Sequence, residues 1–385
     1  MSDRRLLMIP GPIELEPDVL AALAERTRGH LDPTFIGQFG RALGRLREVF
    51  AAGDGSQPFV LAGSGTLAMD TAIANVLTPG ATALVIDTGY FSARMAEIVT
   101  RWGGNAVRVG GVLGDCPGLS QLAAALEQHR PQLVAVTHVD TSTGVCAPIQ
   151  EIAKLARAAG ALVVVDGVCS IGGEPLRQAD WDVDVALTGS QKALGVPPGL
   201  AVVVASRRAL EAVEARKHTV ASLYLDWKQW LPIMTAYESR KPAYFATPPV
   251  NLIAALDVSL GQLLAEGMAP RWERHRRLAT AFRAAWTALE LRPLPVRPEL
   301  LANTMSALWF PEGFDPSLVG RIGQEGIVVA GGLHPEAKAK YFRVGHMGAV
   351  SAHDVLATVG AVERALGRSG GVAAANAALA EPAGR

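Results

Sequence analysis

The sequence predicts an α/β protein with a large domain built on a mostly parallel, seven-stranded sheet, followed by a smaller C-terminal α/β domain. Three observations lead there. First, short apolar or β-branched runs (Phe59 to Ala62, Ala83 to Ile86, Leu133 to Thr137, Leu162 to Val165, Val183 to Leu187, Leu200 to Ala205) read as buried strands. Second, segments of helical apolar spacing separate many of them, an alternation that produces parallel sheets. Third, from about Leu291 the pattern restarts on a smaller scale, and 385 residues suffice for more than one core.

Taken in order, Leu6-Leu7-Met8-Ile9 followed by Pro10-Gly11-Pro12 is too short and too proline-rich for a helix, so residues 1–20 are expected as an extended arm with a rigid turn. Helical spacing runs from Glu16 to Arg28 and from Thr34 to Phe50, with a loop between them. His30 in that loop reads as structural, the ordinary role of a lone histidine near a helix boundary.

The strand Phe59 to Ala62 leads through Gly63-Ser64-Gly65-Thr66 into a helix ending before Pro79-Gly80. Such a turn presents unpaired backbone N–H groups and a positive helix end, an anion site suited to phosphate. The same residues fit a dinucleotide fingerprint, Gly63-x-Gly65-x-x-Ala68, with Asp87 ending the next strand 22 residues after Gly65. An NAD-dependent oxidoreductase is therefore the competing reading from a different class, although it leaves Asp166 and Lys192 unexplained.

Phe91 follows Asp87 at a strand end and could stack on a planar ring. After the strand Leu133 to Thr137, the turn His138 to Gly144 is rich in hydroxyls, and Pro148 to Ala159 is a crossover helix. The strand Leu162 to Val165 then ends in Asp166. Ligands bind at the carboxyl ends of such strands, so a carboxylate there needs a cationic partner, unless it is merely a turn or helix-capping aspartate. Lys192 follows the next strand, among small and apolar neighbours. A desolvated lysine has a lowered pKa and can condense with a carbonyl, where a solvated one would be an ordinary surface charge.

Further on, Ser222 to Ser239 reads as irregular and aromatic-rich, a subunit interface as readily as a core. A proline-rich turn, Tyr244 to Val250, precedes a helical region to about Leu289 with a break at Gly267 to Pro270. The C-terminal unit reads as strand Thr304 to Phe310, helix Asp315 to Glu325, strands Ile327 to Ala330 and Tyr341 to Val344, and helix Ser351 to Leu366. Arg343 could hold a carboxylate through two parallel hydrogen bonds or be a surface charge. The expected divisions are an arm (1–20), a large domain (21–260), a small domain (261–366) and a mobile tail (367–385).

With 36 basic and 36 acidic residues the net charge is zero, so no global field draws the chain to nucleic acid or an anionic membrane. The three cysteines have no ligand-like spacing, which argues against a disulfide framework or a zinc site. A short apolar run before Pro10 is no signal peptide, and no run is long enough to span a bilayer, so a soluble, cytoplasmic protein is expected.

An aspartate at one strand end and a lysine 26 residues on, after the next strand, are what pyridoxal phosphate (PLP) requires. The lysine holds the aldehyde and the carboxylate keeps the pyridine nitrogen protonated, making the ring an electron sink. Ser142-Thr143-Gly144-Val145, Val165-Asp166-Gly167-Val168-Cys169-Ser170, and Gly189-Ser190-Gln191-Lys192-Ala193-Leu194 with Pro197-Pro198-Gly199 resemble the class V aminotransferases, in particular their alanine/serine–glyoxylate branch. The resemblance implies the PLP-dependent transferase fold type I, a homodimer, and transamination between small amino acids and glyoxylate or a similar 2-oxo acid. It further implies that Lys192 and Asp166 are catalytic, that Phe91 and Val168 pack on the ring, and that Thr141 donates to its phenolic oxygen. Ser64, Gly65, Thr66 and Gln191 would hold the phosphate, joined by Tyr244 and Thr247 from the other subunit, while Arg343 would bind the substrate carboxylate. A cysteine desulfurase or lyase of the same fold fits less well, since Gln191 precedes Lys192 where desulfurases carry histidine.

Overall fold

A computed structural model describes residues 5–381 of the chain. Residues 1–4 of the arm and 382–385 of the tail lie outside the described residues.

The central sheet has seven strands in the order Gln57–Gly63, Gly199–Ala205, Val185–Gly189, Leu162–Asp166, Leu133–Thr137, Thr82–Asp87, Asn105–Gly110. All pairings are parallel except those of Gly199–Ala205, which runs against both neighbours. The three middle strands are buried along their whole length, because helices cover both faces of a parallel sheet. Register places Asp166 beside Thr137 and Leu187, so the carboxyl ends of these strands open on one edge. The strand Asn105–Gly110 and the helix Leu119–His129 are elements that the sequence pattern does not announce. The strand lies on the sheet edge with only Val109 buried, and the helix buries only Leu122 and Leu126.

This strand order removes the dinucleotide reading. A ribose-binding acid must end the strand next to the glycine turn, yet four strands separate Gln57–Gly63 from Thr82–Asp87. Asp87 is moreover paired with Arg108 and accepts a hydrogen bond from Ser92 Oγ at 2.9 Å.

Ser222 to Ser239 is not irregular: Trp227–Glu238 is a helix, capped by Asp226, whose side chain accepts from Lys228 N–H, and Pro232 lies inside it. Its aromatics belong to the core. Trp227 stacks on Phe59 with centroids 5.0 Å apart and donates to Thr71 Oγ1 at 3.0 Å. The expected break at Gly267 is a bend of 83° between the helices Val250–Glu266 and Met268–Ala288, made at a positive φ of 84°.

Beyond that bend a second core forms around Phe282, Trp286, Phe342, Val355 and Val359. Its antiparallel sheet consists of Met305–Trp309, Tyr341–Gly345 and Ala330–Gly331. The arm belongs to this unit as well, since Leu6–Leu7 pairs in parallel with Ile327–Val328 and Gly345 N–H donates to Met8 O at 2.8 Å. Gly371–Ala380, expected within a mobile tail, is a helix with Ala375 and Leu379 buried against Met268–Ala288 and Ala352–Leu366. Arg277 donates to Leu379 O and anchors its end. No single helix among the described residues is long and apolar enough to cross a membrane.

Truncation after Gly367 should therefore uncover apolar surface and cost about 2–4 kcal/mol, on the scale of one or two buried side chains. Chemical denaturation would read this as a lower midpoint, whereas an unchanged midpoint would mean that the helix contributes no packing.

Candidate active site

The loop after Val185–Gly189 is pinned from several sides before it presents its lysine. Ser190 Oγ donates to Pro197 O at 2.6 Å and accepts from Leu200 N–H at 3.1 Å. Buried Arg271, just past the bend between the long helices, donates to Ala193 O at 3.0 Å and to Gly172 O at 2.7 Å. Lys192 itself is 7% exposed, and its Nζ donates to Pro10 O of the arm. Gly11 is part of the same fit, because a Cβ there would lie 2.5 Å from Lys192 Cδ and its φ of 108° disfavours any other residue. Burial, followed by the nearby Arg343 guanidinium, pushes the lysine pKa down and favours the neutral amine.

Asp166 is 2% exposed and accepts from Val168 N–H at 3.0 Å and Thr137 Oγ1 at 3.4 Å. Burial pushes its pKa up to about 6, with the buried carboxyl of Asp140 adding to the rise. It is a carboxyl group short of a cation, sitting within electrostatic range of Lys192.

A cavity of about 450 Å³ opens above these groups. Lys192, Gln191 and Val168 form part of its lining, together with Ser64, Gly65 and Thr66, and with Phe91, Thr141 and Arg343. The structure thus gathers nine of the twelve sequence-derived positions around one space of cofactor size. Asp166 is buried and is not among the lining residues, but it accepts from the N–H of Val168, which is. Tyr244 and Thr247 do not line it: Tyr244 is 60% exposed, stands 5.1 Å from the His30 ring, and its hydroxyl meets Thr247 Oγ1 at 3.3 Å.

At one wall Ser64 starts the helix Gly65–Val76 without a capping bond of its own, leaving the first-turn N–H groups for an external anion. Gly65 must lack a side chain, since a Cβ would come within 2.6 Å of Val168 Cγ2. Gln191 Oε1 is buried with no hydrogen-bond partner. At another wall Arg343 donates to Gly331 O at 2.8 Å and Thr141 O at 3.1 Å, which holds its guanidinium in place.

Two contributors have no local sequence signal. Asp140, fully buried, accepts from Phe91 N–H at 3.0 Å and Ser92 N–H at 3.2 Å, as well as from Ser142 N–H and Oγ. It therefore fixes the helix that carries Phe91. Arg94 also lines the cavity, beside Thr66. Both contacts join segments about fifty or thirty residues apart, which only the fold brings together. A larger cavity of about 850 Å³ lies between the bent helices and the helix Ala352–Leu366, but Lys192, Asp166 and Arg343 are all absent from its walls.

An α/β fold whose buried lysine, nearby carboxyl group and fixed arginine meet at the carboxyl ends of a parallel sheet defines a class of enzyme that handles carbonyls and amines. The chain belongs to the aminotransferase class-V family, which its residues 19–353 match. It is 38% identical over 354 residues to alanine–glyoxylate aminotransferase 1 of Saccharomyces cerevisiae, covering 89% of this chain and 91% of that protein. To L-aspartate–glyoxylate aminotransferase of Paracoccus denitrificans it is 34% identical over 357 residues, 91% of this chain and 88% of the relative. The structure of an alanine–glyoxylate aminotransferase from Nostoc sp. superposes with a TM-score of 0.88 at 34% identity, over 94% of this chain and 95% of that one. The resemblance and the fold class expected from sequence are borne out.

The raised pKa of Asp166 has a measurable consequence in the ligand-free protein. A carboxyl whose folded pKa is about 6 lends stability below its unfolded value near ~4 and loses it as pH rises through about 6. Asp166→Asn should accordingly gain about 2–3 kcal/mol over wild type between pH 4 and 7. A stability difference independent of pH would contradict the burial argument.

Proposed function

We propose that this chain is a PLP-dependent transaminase that moves the amino group of a small amino acid, alanine or serine, to a small 2-oxo acid, with glyoxylate preferred. The observation that carries this reading is Lys192, a buried lysine of lowered pKa with Asp166 and Arg343 both within electrostatic range. The alanine–glyoxylate and aspartate–glyoxylate relatives support transamination with glyoxylate.

The residues present fit PLP. Phe91 and Val168 would flank its ring, and Asp166 would face the pyridine nitrogen. Ser64, Gly65, Thr66 and Gln191 would take the phosphate on uncapped N–H groups, the Thr66 hydroxyl and the Gln191 Nε2 hydrogens, and Thr141 would meet the phenolic oxygen. When bound, PLP supplies a carbonyl for the amine and a ring that withdraws electrons from the substrate carbon.

What the chain itself does follows from its geometry. Lys192 Nζ, its pKa lowered by burial, would be the amine that meets a carbonyl, and once displaced by the substrate's amine it would take a proton from the α-carbon and return it. Arg343, held by two carbonyls, presents its remaining donors to the substrate carboxylate and so orients the α-carbon toward Lys192. Asp166 supplies the negative charge that keeps a ring nitrogen protonated, and the cation it gains relieves its own burial. Pro10 O must give up Lys192 Nζ when that amine reacts, so the arm acts as the lysine's resting partner.

Tyr244 and Thr247 are assigned to the phosphate of the partner subunit in a homodimer. Their position outside this chain's cavity, side by side and with Tyr244 exposed, supports a contribution in trans. The three cysteines are all free, in keeping with a reducing, cytoplasmic setting.

A donor and acceptor panel at steady state tests the substrate reading. Alanine and serine with glyoxylate should exceed glutamate with 2-oxoglutarate, because Arg343 is the one cation assigned to a substrate carboxylate and a second carboxylate buried without its own costs several kcal/mol. Arg343→Ala should raise KM for donor and acceptor alike. Efficient glutamate turnover would contradict the small-substrate assignment while leaving transamination intact.

Lys192→Ala should bind PLP noncovalently and turn over at least ~10³-fold more slowly, having lost both its carbonyl-reactive amine and its general base. A near-normal kcat would overturn the catalytic assignment. Thr247→Ala should lose PLP on dialysis faster than wild type, and equal retention would contradict the contact in trans.

A further inference from the structure

Arg94 is a cavity-lining cation that none of the assignments above uses. Its Nη1 donates to Thr66 Oγ1 at 2.9 Å and its Nη2 to Tyr90 OH at 2.9 Å. The guanidinium carbon sits 4.9 Å from the Tyr90 ring centroid and 5.1 Å from that of Phe91. Two hydrogen bonds and two aromatic rings thus fix it where the first turns of two helices, Gly65–Val76 and Tyr90–Arg101, converge. Among the described residues no carboxylate lies within ion-pair distance of it. Arg28 and Arg240 do not line the cavity: Arg28 meets Glu25 on the surface, and Arg240 donates to Gly37 O.

We propose that Arg94 holds the phosphate of PLP, both by its own charge and by fixing the hydroxyl of Thr66 as a donor to it. This rests on the PLP reading of the cavity and adds to that reading the cation it lacks. A phosphate carries close to two negative charges at neutral pH. Backbone N–H groups and the Gln191 amide bring no full positive charge to that wall, whereas Arg94 does. Thr66 Oγ1 accepts from the guanidinium, so its own hydrogen is free to turn toward an anion. The uncapped first turn of Gly65–Val76 turns its N–H donors to the same wall, beside Thr66. Arg343, in contrast, is bound to the carbonyls of Thr141 and Gly331 on a different wall, which separates the two cations between cofactor and substrate.

The test compares PLP with pyridoxal, which keeps the aldehyde and ring and lacks the phosphate. Apoprotein of wild type, Arg94→Gln and Arg94→Lys is titrated with each and followed by absorbance. Arg94→Gln should weaken PLP binding by about tenfold to a hundredfold, the range of a charge-assisted hydrogen bond, and leave pyridoxal binding unchanged. Arg94→Lys should recover part of the loss. Equal weakening toward both compounds would mean a structural role and overturn the proposal. Unchanged PLP affinity with a raised KM for aspartate would assign Arg94 to a substrate carboxylate and overturn it equally. Failure of wild-type protein to bind PLP at all would instead strike the cofactor reading on which the proposal rests.

Discussion

Burying the amine of Lys192 is the constraint on which the site depends. An ammonium in that position is disfavoured by burial, and the Arg343 guanidinium disfavours it further. The surrounding chain thereby shifts the lysine toward its neutral, nucleophilic form. One acceptor, Pro10 O, holds the amine in reach, and Gly11 leaves the space its methylenes need. The carboxyl group that would pair with it most simply, Asp166, is itself so buried that its pKa is raised to about 6. Both groups are thus kept out of a fully formed internal ion pair, ready for a ligand that satisfies them separately.

The two cores exist in relation to that loop. The parallel sheet delivers Asp166, Lys192 and the hydroxyl-rich turn of Thr141 to one edge by register alone. The second core returns Arg343 on an antiparallel strand and threads the arm across Lys192, so that one unit brings both the carbonyl that accepts from the lysine and the arginine beside it. Arg271 ties them together at the bend, with bonds to Ala193 O and Gly172 O. Domain geometry and lysine position are therefore coupled through the backbone on either side of the chemistry.

Much of this was legible in the sequence because strand ends are legible. Leu162 to Val165 is so apolar that Asp166 has to end a buried strand, and Lys192 follows the next one by the same logic. What the pattern hid has physical reasons. Asn105–Gly110 is a short edge strand with only Val109 buried, and Asn105 and Arg108 interrupt its apolar run. Pro232 and three aromatics disguised the helix Trp227–Glu238, whose aromatics serve the core. The alanine-rich Gly371–Ala380 reads as low complexity, yet alanine is the strongest helix former and its small side chains allow close packing on the helix Met268–Ala288. Asp140 and Arg94 act across long separations, so no local window could assign them.

The central claim is that Lys192 is the residue that reacts with the cofactor's carbonyl. Treating the protein with PLP and borohydride, then digesting it and mapping the modified peptide by mass spectrometry, tests this directly. The account predicts one reduced pyridoxyl adduct, on Lys192 in the peptide containing Gly189-Ser190-Gln191. An adduct confined to other lysines, or none at all, would contradict it.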